Sequence, residues 1–506
     1  MDRMVTPSPV FAADEWSDPP EPVAQMLLAA QIAPPSGYML EVRAEATGIT
    51  VDRVRAAVAA LTGRYPELGA KVATQDGRVR WCRDETAAPD RLLSVVRLDP
   101  GQSPDRIFDQ LATAVDQASG DALFSLVLSP APAGMRLLFR VHHAIVDGSG
   151  LAALIDEFLE LAQAAPGDTV AQRRVSAFAR TSVAEASETC RQEWLKQIDL
   201  LPPPWSAADA RRFVYDRTAA ILQTALDRQR LDETALALGV TPIAVLMGCT
   251  RVAAARRFQW SLDRVTVPLT DDGDALLAIR PLPVVHPVPV AQTVQAEIGT
   301  SFDVLLDSLD RGAPPADLVG RLTSSAVPGM PDCLLTVNDQ VRMSPSHNGL
   351  VLHPGPHRGA HGLLEVELTG DTVKLSGHPA IFTPEDLAGF ADELAAVLGD
   401  LDGPAVPAGS RLGPVPSTTS SPVAAVESAS PDGDHLERCL KVWRDLFGAD
   451  AGPDDNLFAL GATSLMCARA AARLRTALEL PVTIRILYQH PTARELAGWA
   501  TRTDNP

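Results

Sequence analysis

The chain has 506 residues, 46% hydrophobic and 21% charged, the balance of an ordinary globular protein with room for more than one domain of roughly 100–200 residues. Its formal net charge of −19 argues against nucleic acid and anionic membrane as partners, because both attract basic surfaces, and leaves small neutral substrates open. No uncharged apolar run reaches the roughly 18 residues of a membrane helix, and the polar, acidic, proline-rich start lacks the apolar stretch of a secretory signal, so a cytoplasmic protein is expected.

Residues 1–21 read as a disordered N-terminal segment. Thr50 then offers a cap to a helix whose Val51, Val54, Val58 and Leu61 share one face. LFSLVLS (123–129) and MRLLFRVHH (135–143) are buried strands, separated by a turn containing Pro132 and Gly134. Gly148 and Gly150 break the chain, and residues 151–162 continue as an amphipathic helix. Thr241-Pro242 opens a helix with proline at its first position. Thr383-Pro384-Glu385-Asp386 repeats that start, with Leu387, Phe390, Leu394 and Leu398 as the apolar stripe. Strands and helices in this mixture form α/β or α+β layers.

Residues 403–434 carry six prolines and no aromatic residue, so they cannot offset their own ordering by burial and read as a flexible linker. The composition then changes. Helices are expected over 435–448, 464–478 and 492–500, with a short one at 484–490; Leu436, Leu440, Trp443 and Phe447 share a face of the first. The six cysteines, Cys82, Cys190, Cys249, Cys333, Cys439 and Cys467, have no C-x-x-C or zinc spacing, and free buried thiols are expected.

His142-His143-Ala144-Ile145-Val146-Asp147-Gly148 closes the second strand. Successive strand side chains point to opposite faces, so one histidine faces a site and the other packs behind it. A histidine serves as general base or hydrogen-bond partner near neutral pH. An aspartate four residues on, in a glycine-flanked turn, suits a salt bridge that fixes the turn. Two ordinary strand-end histidines are the competing reading, which the strand–turn–helix setting disfavours.

HHAIVDG resembles the HHxxxDG signature of the condensation-domain superfamily of nonribosomal peptide synthesis, relatives of chloramphenicol acetyltransferase. RYPELGAKV (64–72), GVTPIAVLMGCTRVAAA (239–255), RPLPVVHPV (280–288) and VELTGDTVKLSGHPAIFTPEDLAGF (366–390) follow the family's order. The resemblance implies an α/β (α+β) domain over 22–402, with lobes of about 22–170 and 171–402 forming a V around a tunnel. It implies His143 as the catalytic residue and His142, Asp147, Gly148 and Arg64 as its structural support. Gly69 stands where the family has an arginine, so Arg64 and Arg280 are the candidate partners of Asp147. Residues 263–274 lack much of the family's glycine-rich bridging segment.

A serine at a helix start is commonly only a cap. Here Asp455-Asn456-Leu457-Phe458-Ala459-Leu460-Gly461-Ala462-Thr463-Ser464-Leu465, an Ala/Arg helix and YQHPTARELA (488–497) together resemble acyl and peptidyl carrier domains. That resemblance implies an all-α four-helix bundle over 435–503 with 4′-phosphopantetheine on Ser464, and Asp455 and Leu465 in the surrounding docking and core-facing shell. His353, His357 and His361 would line up as metal ligands on a helix, but Pro354, Gly355, Pro356 and Gly359 exclude one, and no metal site is expected. His361, which precedes a strand of the second lobe, is a candidate for the tunnel wall. Nucleotide-binding and serine-hydrolase motifs are absent from the sequence.

These resemblances imply an acyltransferase that joins a carrier-tethered acyl or aminoacyl thioester to an amine, giving an amide and a free thiol. An alcohol acceptor giving an ester is one alternative; a catalytically silent platform recruiting tailoring enzymes to a carrier-bound amino acid is another. The expected partners are a phosphopantetheinyl transferase, upstream or downstream carrier proteins, and a separate adenylation enzyme loading the carrier in trans, since 403–434 is too short to hold one.

Overall fold

The computed structural model describes residues 16–30, 38–75, 78–83, 89–98, 102–118, 123–131, 134–164, 168–170, 176–178, 188–201, 219–270, 275–277, 279–286, 293–324, 331–337, 346–347, 350–354, 361–406, 410–412, 433–448, 450–457, 460 and 464–504. The first lobe opens with α1 (Glu21–Ala29), β1 (Met39–Thr47), α2 (Val51–Arg64) and the hairpin β2 (Ala70–Gln75) and β3 (Arg78–Arg83). It continues with α3 (Pro89–Leu92), β4 (Leu93–Val95), α4 (Pro104–Ala118), β5 (Phe124–Ala131), β6 (Gly134–His142), α5 (Gly148–Gln163) and β7 (Ser176–Phe178). The second lobe starts with α6 (Glu188–Asp199), β8 (Ala220–Ala225), α7 (Arg228–Leu238), α8 (Pro242–Phe258), β9 (Arg264–Thr270), β10 (Ala275–Leu277) and β11 (Ile279–Val285). Then come α9 (Val294–Arg311), α10 (Ala316–Thr323), β12 (Cys333–Val337), β13 (Ser346–His347), β14 (Leu350–Pro354), β15 (Leu364–Thr369), β16 (Thr372–Gly377) and α11 (Pro384–Gly399). The C-terminal bundle holds α12 (Gly433–Phe447), α13 (Ser464–Leu478), α14 (Ile484–Gln489) and α15 (Ala493–Asp504).

Among the described residues, two six-stranded sheets carry the large domain, ordered β13-β14-β1-β6-β5-β4 and β11-β9-β12-β15-β16-β8. β5 and β6 are apolar almost throughout because both faces are covered: Leu126, Leu128, Leu137 and Phe139 are fully buried, and α4 packs on the Val127 and Leu138 side. The lobes also exchange strands. β14, from the second half of the chain, pairs antiparallel with β1, and β10, which pairs parallel with β7 in a separate two-stranded sheet, packs against α5 of the first lobe. The chain therefore crosses between lobes near one end of β1, and that crossing positions the site.

Helix starts follow the expected chemistry. The Thr50 hydroxyl accepts from Arg53 N, and Thr383 with Asp386 forms a reciprocal capping box at α11. Two boundaries move. Residues 16–20, placed in the disordered segment by composition, are held to β3 by paired backbone bonds between Ser17 and Trp81 of 2.9 and 3.0 Å. The start of the expected linker, 403–406, packs on the second lobe: the Arg256 guanidinium donates to the Pro404 and Ala405 carbonyls, and Ala405 is fully buried. Local composition does not reveal such a long-range arginine. Residues 407–409 and 413–432 lie outside the described residues.

In the second lobe, His286 is buried with no hydrogen bond to either ring nitrogen among the described residues, and burial, with the Arg251 charge, holds it well below the ordinary histidine range. No single helix among the described residues is long and apolar enough to cross a membrane; α7 and α8 pass that test only as a pair bent by 106°.

Candidate active site

β6 ends at the site. Its last residue, His142, lies opposite Met39 in the register with β1, and His143 N donates to the Tyr38 carbonyl at 2.7 Å. His142 turns into the lobe and stacks on the Tyr38 ring, centroids 6.2 Å apart. Its Nδ1 accepts from Ala144 N at 3.0 Å, so the ring proton sits on Nε2. His143 has the opposite tautomer: its Nδ1 faces the Val146 carbonyl at 2.8 Å and must donate, leaving a lone pair on Nε2. One strand end thus yields one packed histidine and one with its basic nitrogen left for a ligand.

Burial, then the neighbouring His143 and His361, pushes His142 down to about 3. Burial and His361 also lower His143, against the raising effect of its bond to Val146. Both rings are therefore neutral at pH 7, and His143 Nε2 keeps its lone pair.

Asp147 is the fully buried N-cap of α5. Its Oδ1 accepts from Gly150 N and from the Ser149 hydroxyl, both at 2.8 Å, while Asp147 N donates to the Leu276 carbonyl of β10 at 2.9 Å. A Cβ on Gly150 would stand 1.8 Å from that same Leu276 oxygen, so only glycine lets α5 approach β10 this closely. Gly148, the first residue of α5, is exposed. Arg64 does not meet Asp147. It pairs with Glu157, one face of α5 farther on, and donates to the Val170 carbonyl at 2.6 Å; Tyr65 Oη bonds the other Glu157 oxygen at 2.8 Å. The reason is position: Glu157 is a buried carboxylate within α5 facing the end of α2, whereas Asp147 is occupied by its own helix start. The Arg280 side chain lies outside the described residues.

The structure adds two residues, Tyr38 and Glu365, and sets them beside His361, the histidine singled out in the sequence. His361 stands edge-on to both His143 and Tyr38, with centroids at 5.3 and 5.0 Å. Glu365 Oε1 lies 3.2 Å from His361 Nδ1. Tyr38 carried no motif. Glu365 left a faint trace, a carboxylate inside the otherwise apolar run Leu363-Leu364-Glu365-Val366. His353 sits in β14; its side chain and His357 lie outside the described residues.

In the C-terminal bundle, Ser464 is the first residue of the 15-residue helix α13, and Leu465 the second. Their side chains and residues 461–463 lie outside the described residues. Asp455 is exposed, accepts from Gly452 N at 2.7 Å, and its carbonyl takes the Trp443 indole N–H at 3.1 Å. It therefore shapes the turn from Gly452 to Asp455. α13 also lies against α1 and β3 of the first lobe.

Residues 22–256 match the family model Condensation domain, and residues 438–500 match Phosphopantetheine attachment site. Phosphinothricin tripeptide synthetase PhsB of Streptomyces viridochromogenes is 43% identical over 61 residues, 12% of this chain and 5% of that protein. Surfactin synthase subunit 2 of Bacillus subtilis is 31% identical over 71 residues, 14% of this chain and 2% of that protein. The matched stretches are thus a small part of these relatives' length. Among solved structures, the first condensation domain of the CDA synthetase is similar with a TM-score of 0.54 at 18% identity, covering 78% of this chain and 98% of that one. A mutant starter condensation domain of the rhizomide synthetase RzmA, in complex with C8-CoA and Leu-SNAC, gives 0.55 at 17% identity, covering 76% and 94%.

Proposed function

From a chain that carries a nonribosomal-peptide-synthetase-type condensation domain and a phosphopantetheine carrier domain, we propose an acyltransferase that joins a carrier-tethered acyl or aminoacyl thioester to an amine. The observation that carries this reading is the His143 tautomer. The Val146 carbonyl holds the Nδ1 proton, and the neutral ring offers Nε2 as an acceptor at neutral pH. There Nε2 takes a hydrogen bond from the attacking nitrogen and then its proton as the C–N bond forms. Asp147 acts at one remove, fixing the turn that aims the ring.

The bundle fits the prosthetic arm. A phosphate ester on Ser464 would sit at the positive end of a 15-residue helix, where first-turn N–H groups lack intrahelical partners. Once attached, the arm supplies a thiol that holds substrate as a thioester on a flexible tether. The packing of α13 against α1, the helix that precedes Tyr38 in the chain, supports delivery at this lobe. The C8-CoA and Leu-SNAC in the RzmA neighbour pair an acyl thioester with an aminoacyl one, the substrate combination proposed here. Loading of Ser464 by a separate adenylation enzyme belongs to the same proposal; the chain alone should show no amino-acid-dependent ATP–pyrophosphate exchange.

The test loads Ser464 with alanyl-pantetheine, using alanyl-CoA and a phosphopantetheinyl transferase, and then adds octanoyl-CoA or other acyl thioesters. Intact mass should show an acyl group on the alanyl nitrogen. Product on a lactyl arm alone would favour ester formation. No transfer from any donor to either arm would favour the silent platform.

A further inference from the structure

We propose that His361 is a second functional imidazole of the reacting centre, which accepts a hydrogen bond from the second N–H of a primary-amine acceptor. This rests on the acyltransferase reading above and names its acceptor class.

The topology brings the residue there. After β14, paired to β1 in the first sheet, the chain returns to β15 in the second, and His361 stands just before β15. A second-lobe ring is thereby set against the first-lobe strand that carries His143, with interplanar angles of 83° to His143 and 75° to Tyr38.

Its orientation is built. The Glu365 carboxylate takes the His361 backbone N–H and Gly362 N, the latter at 3.2 Å, and faces His361 Nδ1. Burial pushes the Glu365 carboxyl up, but the His361 interactions and Lys374 outweigh it and leave it below the ordinary value. A carboxylate only accepts, so Nδ1 must donate to it. His361 Nε2 is then the ring's other nitrogen; it is buried and has no hydrogen-bond partner among the described residues. A ring needed only for packing against Tyr38 and His143 would be served by phenylalanine, without an unpaired polar atom and without a carboxylate held by three donors.

The chemistry supplies a partner for that nitrogen. In amide formation the acceptor nitrogen forms a C–N bond and the thioester C–S bond breaks. One of its two protons leaves through His143 Nε2 and is returned to the departing thiolate. The other stays on nitrogen as the amide N–H. His361 Nε2 accepts a hydrogen bond from this retained N–H and takes no proton. A secondary amine or an alcohol has only one such hydrogen, so it leaves His361 Nε2 buried and unpaired, which is how a site built to hydrogen-bond an N–H rejects an analogue lacking it.

The experiment compares alanyl, N-methylalanyl and lactyl arms on Ser464 of the full chain, with octanoyl-CoA as donor. The readout is the ratio of single-turnover rates, primary amine over each other acceptor. His361→Phe keeps the ring packing and should reduce both ratios at least about tenfold, the loss of about one hydrogen bond. His361→Gln, which retains an acceptor, should recover part of them. His361→Leu carries the same comparison where His361→Phe does not fold. Ratios unchanged from wild type, with amide still formed, would overturn this inference and leave the acyltransferase reading intact. No amide from wild type with any arm would overturn both.

Discussion

The chain starts two helices in similar ways and uses them differently. α5 and α13 are 16 and 15 residues long, and in the sequence a glycine and an oxygen-bearing side chain stand close to each start, Asp147-Gly148 at α5 and Gly461 with Ser464 at α13. At α5, Asp147 is fully buried, and its backbone is tied to Leu276, more than a hundred residues away in the chain. Ahead of α13, residues 454–456 are held within the bundle: Trp443 reaches Asp455, Asn456 bridges Thr492, and Asp454 pairs with Arg494, while α13 itself also lies against α1 and β3. The first start locks two lobes together so that a neighbouring histidine is held still. The second belongs to a contiguous bundle, on which the proposed function places the prosthetic arm. On the proposed function, the long-range lock stands beside the histidine that would take the proton, and the bundle carries the serine that would bear the substrate.

Three perturbations sharpen that contrast. The largest is Gly150→Ala, which would drive a Cβ into the Leu276 carbonyl, a backbone atom that cannot simply rotate away. It should cost about 3 kcal/mol, read as a lower denaturation midpoint of the large domain, while arm attachment at Ser464 continues. An unchanged midpoint would mean that α5 and β10 are not locked.

The second is pH. His142, His143 and His286 have folded-state values below the ordinary 6.5, whereas in the unfolded chain they titrate near it. Below pH 6.5 the unfolded state therefore binds more protons, and stability, complete above that pH, falls toward acid. Each histidine contributes a slope of up to about 1.4 kcal/mol per pH unit. Urea unfolding between pH 7.5 and 5 should show this loss. The acid limb of the transfer rate should lie below 6.5 as well, because the base must be neutral. A limb above 6.5 would contradict the lowered value of His143. The smallest effect is Ser464→Ala, which should abolish arm attachment yet change stability by at most about 1 kcal/mol.

The parts legible in the sequence are those written in consecutive residues. Thr50, Asp386 and Pro242 announce their helices, HHAIVDG announces the turn, and the α13 boundary at Ser464 follows from its apolar spacing. The parts that were not legible join distant segments. Arg64 shows a basic residue at the right end of α2 but not that Glu157, rather than Asp147, receives it. Ser17 on β3 and Arg256 on Pro404 likewise depend on tertiary approach. Tyr38 joins the site through the pairing of β1 with β6, and Glu365 because β14 crosses to the first sheet and the chain returns, long-range pairings that periodicity does not encode.

The most direct test of the central claim compares wild type with His143→Ala at single turnover, each bearing an alanyl arm on Ser464 and given octanoyl-CoA, by intact mass of the protein. Removal of a general base typically slows a reaction 10²–10⁴-fold, so a loss of about that size is expected, with both proteins accepting the arm equally. Equal amounts of acylated product from the two proteins would contradict the assignment of His143 as the catalytic residue.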